Sequence, residues 1–370
     1  MNPWRKGRSR STPAKKRDMT SRSAWHWSGP PRRGATPRDD RRGDGSGVPV
    51  ASGSMNIGLQ VWGQFVEWDE LMEAGKRIEG LGFSSLWSND HFYPSFGAED
   101  GPVLEGWITL AGWAVLTERI PLGCMVSGAA YRNPALLVKM ATTVDRASHG
   151  RLTLGLGAGW HEREHRAFGY ALLKPGARIA RLAEAAEIAR GLLAGGPVTV
   201  KGSHFSVDGA RNDPPAHGGR RMPLLIGGSG EKLTLAVVAR YADVWNGEGD
   251  PAAIARKIAV LAEHCRSIRR DPGEIRITVG LPAPCVRASR ADALAALAAT
   301  YEHHGLPPAA AHAAAETSPC VGTVDEVVTI LRAYAEIGVS EVIFDTPHPL
   351  DQGTLQELSG SIQDQLRRAS

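Results

Sequence analysis

The chain has 370 residues, 42% hydrophobic and 22% charged, the composition of a globular protein rather than a fibre or a membrane bundle. No apolar run is long enough to cross a bilayer, and Cys124, Cys265, Cys285 and Cys320 form no C-x-x-C pair, so neither a membrane partner nor a disulfide or thiolate-zinc framework is expected, and a reducing cytoplasm is. The net charge of +4 is unevenly placed: residues 1–54 carry 13 Lys/Arg against 4 Asp/Glu, the remainder 30 against 35.

Residues 1–54 are rich in Arg, Ser, Gly and Pro, show no apolar periodicity and cannot bury a core, so they read as a disordered basic extension. The pairs Arg32-Arg33 and Arg41-Arg42 suggest twin-arginine export, but the apolar stretch such a signal needs does not follow. A basic arm for nucleic acid competes. The preferred reading is a non-structural leader ahead of a true start at Met55, with no nucleic-acid partner.

From Met55 onward short apolar runs alternate with helical patterns. Residues 56–62 (NIGLQVW) read as a strand. Residues 68–81 read as a helix, with Leu71, Ala74, Ile78 and Leu81 on one face and Gly82 as its stop. Strands follow at 83–88, 121–126 and 151–157, separated by helices at 105–117 and 133–148, the latter with Pro134 at its first position. A helix is predicted at 176–193. Residues 195–222 break the rhythm with PVTV and HFSV and read as an insertion. Strands at 223–226, 243–246, 275–279 and 341–345 then alternate with helices at 231–241, 252–269, 323–337 and 350–367. The Ala-rich stretch 291–316 is helical or irregular. Eight strands alternating with helices predict an α/β (β/α)8 TIM barrel with an insertion around 195–222; an open doubly wound sheet is the alternative.

A barrel puts its chemistry where strands end. The second predicted strand ends in Ser88-Asn89-Asp90-His91, a carboxylate beside an imidazole, suited to proton handling or to a capped turn. The third runs into Val126-Ser127-Gly128-Ala129, small residues that let a flat ligand approach, or an ordinary turn closed by the N-cap Asn133. The fourth ends in GAGWHEREH. The fifth runs into Gly227-Gly228-Ser229-Gly230 ahead of a helix, whose free backbone N–H groups suit a phosphate.

Within GAGWHEREH, residues 161–165 spell the zinc-protease pattern H-E-x-x-H, with Glu184 or Glu187 as conceivable third ligands. His161 stands only two residues past a glycine turn, and an eight-strand alternation is foreign to that class of enzyme. A zinc hydrolase is therefore kept only as a remote alternative, and no metal is expected.

NIGLQVW, LWSNDHF, YRNPALLVKMATTVDRASHGRLTLGLGAGWHEREHRAFG and PLLIGGSGEKLTLAVVARYADVWN together resemble the bacterial luciferase-like flavin and deazaflavin oxidoreductases, over roughly residues 55–350. The resemblance implies a TIM barrel that binds reduced FMN or the deazaflavin coenzyme F420 at its strand ends. It places Asp90 and His91 beside the cofactor ring, with His91 as the proton donor or acceptor. It puts Val126, Ser127 and Gly128 at a bulge, often with a cis peptide, under the ring face. It gives His161 a polar contact to the cofactor, and Gly228, Ser229 and Gly230 the phosphate. The likeness is nearer the F420-using branch, which implies hydride transfer to or from a small-molecule substrate. An FMN-dependent monooxygenase using oxygen is the alternative. An additional carboxylate, used by some relatives, has no assignable position. Substrate contacts are expected from 93–104 and from 195–222, and Trp62, Trp107 and Trp160 are candidates for an apolar wall. Exposed helices of such barrels often pair, so a homodimer is an open expectation.

Overall fold

The computed structural model describes residues 55–368; the N-terminal extension and the reading of its start lie outside them. The eight predicted strands are present at Asn56–Val61, Ser85–Ser88, Leu122–Cys124, Leu152–Gly157, Leu224–Gly227, Val244–Gly247, Arg276–Leu281 and Glu341–Thr346. Each pairs in parallel with its neighbours. The ring closes where Asn56 lies opposite Glu341 on one flank and Leu122 opposite Leu152 on the other. The open-sheet alternative is thereby overturned, because both flanks are hydrogen-bonded. Being parallel, all eight strands end on the same rim.

Local chemistry explains why the helices start where they do. Asn133 accepts the N–H of Ala135 at 2.9 Å, and Pro134 opens the helix Pro134–Ala147 with a nitrogen that needs no partner. Thr323 and Glu326 cap Val324–Glu336 reciprocally. Trp68–Gly80 turns Leu71, Met72, Ala74 and Ile78 inward. Inside the barrel, Trp87, Leu225, Val244 and Ile343 pack together, with Met125 and Val126 above them. Burying such side chains contributes about 1.5–3 kcal/mol each.

Two elements differ from the sequence reading, and a third, left open there, is resolved. The helix after the fifth strand begins at Thr234, not 231, because Gly228 to Leu233 form a wide loop closed by the Leu235 N–H on the Gly230 carbonyl at 3.0 Å. The Ala-rich stretch resolves into two helices, Arg290–His303 and Pro308–Thr317, broken at Gly305, whose φ of 90° only glycine adopts readily. The closing helix is interrupted by a π-turn over Leu358–Ile362, where Ser359-Gly360-Ser361 are poor helix formers. The insertion is a two-stranded antiparallel hairpin, Val198–Lys201 with Ser206–Ala210, followed by a loop. It is fastened to the outer helices: Glu184 accepts the N–H groups of Ser203, His204 and Phe205. None of its residues lines the main cavity described below, where the sequence reading expected this segment to contribute. Among the described residues, no helix is long and apolar enough to cross a membrane.

Candidate active site

The ends of all eight strands open on one cavity of about 1190 Å³. Met125, Val126 and Gly128 line it from the third strand, Gly157 and Gly159 from the fourth, and Gly227 and Gly228 from the fifth. Gln60 and Asp345 line it from the first and eighth.

The peptide between Met125 and Val126 is cis. Val126 projects over the rim, and its neighbours are glycines for a steric reason. A Cβ on Gly157 would fall 2.5 Å from a Val126 methyl, and one on Gly227 would fall 3.0 Å from another. Gly157→Ala is therefore expected to cost about 1–3 kcal/mol through overpacking. Thermal melting checks this; an unchanged Tm would show that Val126 moves freely.

His91 is the centre of the polar network. Its Nδ1 lies 3.0 Å from Glu164 Oε1. Glu164 is wholly buried and also accepts the Tyr131 hydroxyl at 2.7 Å, the Phe92 N–H at 2.8 Å and the Tyr93 N–H at 3.1 Å. Burial alone would raise the Glu164 carboxyl, but these donors, His91 first among them, outweigh it and hold the carboxyl at about 2. An ionised carboxylate only accepts, so Nδ1 carries the proton and Nε2 presents its lone pair. Among the described residues Nε2 makes no hydrogen bond, and His91 lines the cavity. Burial and the bond to Glu164 push the Tyr131 hydroxyl well above its ordinary range, so it stays a donor.

This network has a pH signature. The folded pKa of Glu164 lies below the ordinary 4.5, so its bonds contribute stability that is complete above 4.5 and is lost as pH falls towards 2. The Tm difference between the native chain and Glu164→Gln is expected to be largest near pH 7 and to shrink below about pH 4. A difference that stays constant down to that pH would show that the charge of Glu164 is not what its donors recognise.

Asp90, 2% exposed, also lines the cavity. Arg132 grips it twice, Nη1 to Oδ2 at 2.6 Å and Nη2 to Oδ1 at 3.0 Å, and reaches Glu105 as well. Burial pushes the Asp90 carboxyl up, and the guanidinium opposes it. Ser127 is fully buried, and its hydroxyl accepts the Trp107 indole N–H at 2.8 Å. Ser127 and Trp107 therefore serve each other, while Trp62 and Trp160 line the cavity.

His161 caps the short helix Glu162–Ala167, its Nδ1 accepting the Glu164 N–H at 3.4 Å, with its ring 5.7 Å from that of His91. His165 is 1% exposed, stacked 5.3 Å from Tyr131, and lowered by burial and by the Arg181 charge. Glu162, the base of the zinc reading, faces solvent. The two histidines of H-E-x-x-H thus do separate structural work, and no cluster of His, Cys, Asp or Glu among the described residues is arranged to hold a metal.

A second cleft of about 670 Å³ adjoins the cavity through Ala158, Gly159, Ile179 and Thr234. Ser229, Gly230, Lys232 and Arg178 line it. The Ser229 hydroxyl accepts the Glu248 N–H at 3.2 Å. Because the helix starts only at Thr234, any phosphate here meets loop N–H groups and the two cations rather than a helix end. Cavity and cleft together suit a ligand with a flat head and a long anionic tail. Glycines floor the head, and the buried Asn246, whose Oδ1 has no partner, lines the same cavity.

Sequence reasoning missed Glu164, Arg132 and Asp345. Glu164 stood inside the zinc-like motif, three residues after the N-cap His161, and nothing local in that string marks it as the inward carboxylate. Asp345 ends a strand buried along most of its length, which was its own signal.

Comparison with known proteins agrees with this architecture. The F420-dependent glucose-6-phosphate dehydrogenase of Rhodococcus hoagii is 27% identical over 320 residues, covering 79% of this chain and 92% of the relative. Pyrimidine monooxygenase RutA of Pseudomonas syringae is 36% identical over 145 residues, 38% of either chain. The coenzyme F420-dependent tetrahydromethanopterin reductase of Methanopyrus kandleri superposes with a TM-score of 0.69 at 17% identity, covering 85% of this chain and all of that one. The sequence model of the luciferase-like monooxygenase family matches residues 48–341, which takes in every strand of the barrel down to the first residue of the eighth. With that match spanning most of its length, the chain belongs to the luciferase-like monooxygenase family.

Proposed function

We propose that the chain is a cytoplasmic F420-dependent oxidoreductase that transfers a hydride to or from a small organic substrate. The observation that carries this reading is His91, oriented by Glu164 and presenting Nε2 to a glycine-floored cavity on the strand-end rim. The F420-dependent enzyme of R. hoagii, similar over most of its length, supports the choice of cofactor. Bound there, the deazaflavin supplies a hydride donor or acceptor carbon.

The residues divide the remaining work. Val126, Gly157 and Gly227 shape the face on which a ring would rest. Asp90, fixed by Arg132, holds a carboxylate at the ring edge. Gly228, Ser229 and Gly230, with Lys232 and Arg178, receive a phosphate or acidic tail. His91 Nε2 takes a proton from a substrate hydroxyl during oxidation and returns it during reduction, while Glu164 stabilises the imidazolium so formed. Trp160, exposed at the mouth, stands 5.5 Å from His91 and shields the site from water.

The second reading is a monooxygenase using reduced FMN and oxygen, favoured by the RutA likeness. Titration with F420 and, separately, with FMN, followed by cofactor fluorescence, separates the two. Tight F420 binding, weak FMN binding and loss of F420 binding in Ser229→Asp are expected. Tight FMN binding alone would replace the first reading with the second; binding of neither would overturn both.

A further inference from the structure

The lining of the cavity has a charge chemistry of its own. It includes Trp62, Phe96, Leu281, Pro282 and Tyr334, and Glu248 and Asp345 stand among them. No lysine or arginine lines the cavity among the described residues. The charged groups around it are otherwise committed. Asp90 is paired with Arg132, the Asp250 carboxylate accepts the Ala253 N–H at 2.7 Å, and Lys257 lies outside, its ammonium 2.7 Å from the Glu248 carbonyl.

Glu248 is left over, and among the described residues Asp345 holds only the Trp62 indole N–H. The Glu248 carboxylate takes no hydrogen bond or ion pair among the described residues, and it sits near enough to Asp345 to repel it. Asn246 adds a third acceptor: it is 6% exposed, its Oδ1 lacks any partner, and it lines the same cavity. A buried acceptor without a donor is costly unless a ligand supplies one. Three acceptors with capacity to spare, among aromatic walls, suit one ligand chemistry.

We propose that this cavity selects an organic cation, a protonated amine on an apolar or aromatic body, and rejects phosphate esters. The inference rests on the oxidoreductase reading for what becomes of the substrate, but the charge preference belongs to the cavity itself. Ammonium N–H groups satisfy Asp345, Glu248 and Asn246 together, and the Trp62, Phe96 and Tyr334 rings favour a cation near their faces. Burial has raised the Asp345 carboxyl to about 7, with the Trp62 indole N–H and the more distant His91 only partly offsetting it, so a ligand ammonium would meet a carboxyl that the protein leaves poorly compensated. A phosphate ester would instead bring two negative charges to a lining that holds Glu248 and Asp345 and no lysine or arginine to receive it. The chain therefore departs in substrate class from the glucose-6-phosphate named for its R. hoagii relative.

Three probes with one body test this: 2-phenylethylamine, 2-phenylethanol and 2-phenylethyl phosphate, titrated calorimetrically into the full chain with and without saturating F420. The amine is expected to bind at least about tenfold more tightly than the alcohol, and the phosphate not measurably. Asp345→Asn is expected to remove most of that preference, and Glu248→Gln, at an exposed position, part of it. Phosphate binding equal to or tighter than amine binding overturns the proposal. So does a preference that survives both substitutions. The F420 titration is read separately: failure there, with the amine preference intact in cofactor-free protein, overturns the cofactor reading and leaves this one standing.

Discussion

Replacing His91 with alanine is expected to lower kcat/KM by about a hundred- to ten-thousandfold, the range in which a positioned general acid or base contributes. The argument is geometric before it is electrostatic. Nδ1 is committed to Glu164 at 3.0 Å, so only Nε2 is free to exchange a proton with a ligand in the cavity. Alanine also leaves Glu164 one donor short, so a structural effect must be separated from a chemical one. His91→Asn does so: its amide can donate to Glu164 but cannot accept and release a proton near neutral pH. Asparagine is expected to restore the Tm without restoring kcat, and F420 affinity is expected to stay within about threefold in both variants. If asparagine recovers most of the rate, His91 is a positioning residue only. Glu164→Gln gives the complementary result. The imidazolium loses its counter-charge, so kcat is expected to fall while F420 affinity holds.

The sequence carried the frame of this site better than its wiring. Strand-helix alternation places eight strand ends on one rim, and parallel pairing is a property of the whole pattern, so Asp90, His91, Val126 and Gly228 were legible from position alone. Asn133 before Pro134 was legible because capping chemistry is local. Glu164 was not. Its four donors come from residues 91, 92, 93 and 131, more than 30 positions away, and nothing in HEREH says which of its charges turns inward. The same string matched a zinc motif because spacing on a helix is shared by many uses of a helix. Arg132 was read only as part of a turn, since its partner Asp90 is 42 residues distant. The glycine-rich loop after the fifth strand was placed correctly in the chain but with a helix starting too early. The Gly230 carbonyl takes the N–H of Leu235, a wider turn than helical spacing predicts. Interactions that join distant strand ends are what a linear pattern conceals.

Arg132→Met is expected to destabilise the chain by about 3–5 kcal/mol, the cost of leaving a buried charge without its partner. Asp90 has a fully buried side chain and Arg132 one only 12% exposed, so water cannot replace the guanidinium. Methionine keeps most of the volume, which isolates the charge from the packing. The pair also links the second strand to the turn before Pro134–Ala147, and Arg132 carries a further bond to Glu105, the cap of Gly106–Leu116. Its loss should therefore loosen two loops at the cavity rim and weaken F420 binding as well as lower Tm. The double variant Asp90→Asn with Arg132→Met distinguishes the two effects. Removing both charges is expected to recover most of the Tm, because a neutral buried amide costs far less than a lone carboxylate. F420 affinity should remain low in the double variant if the Asp90 carboxylate itself meets the ring. Recovery of affinity together with Tm would mean that Asp90 serves the fold alone and that the ring edge is held by other groups.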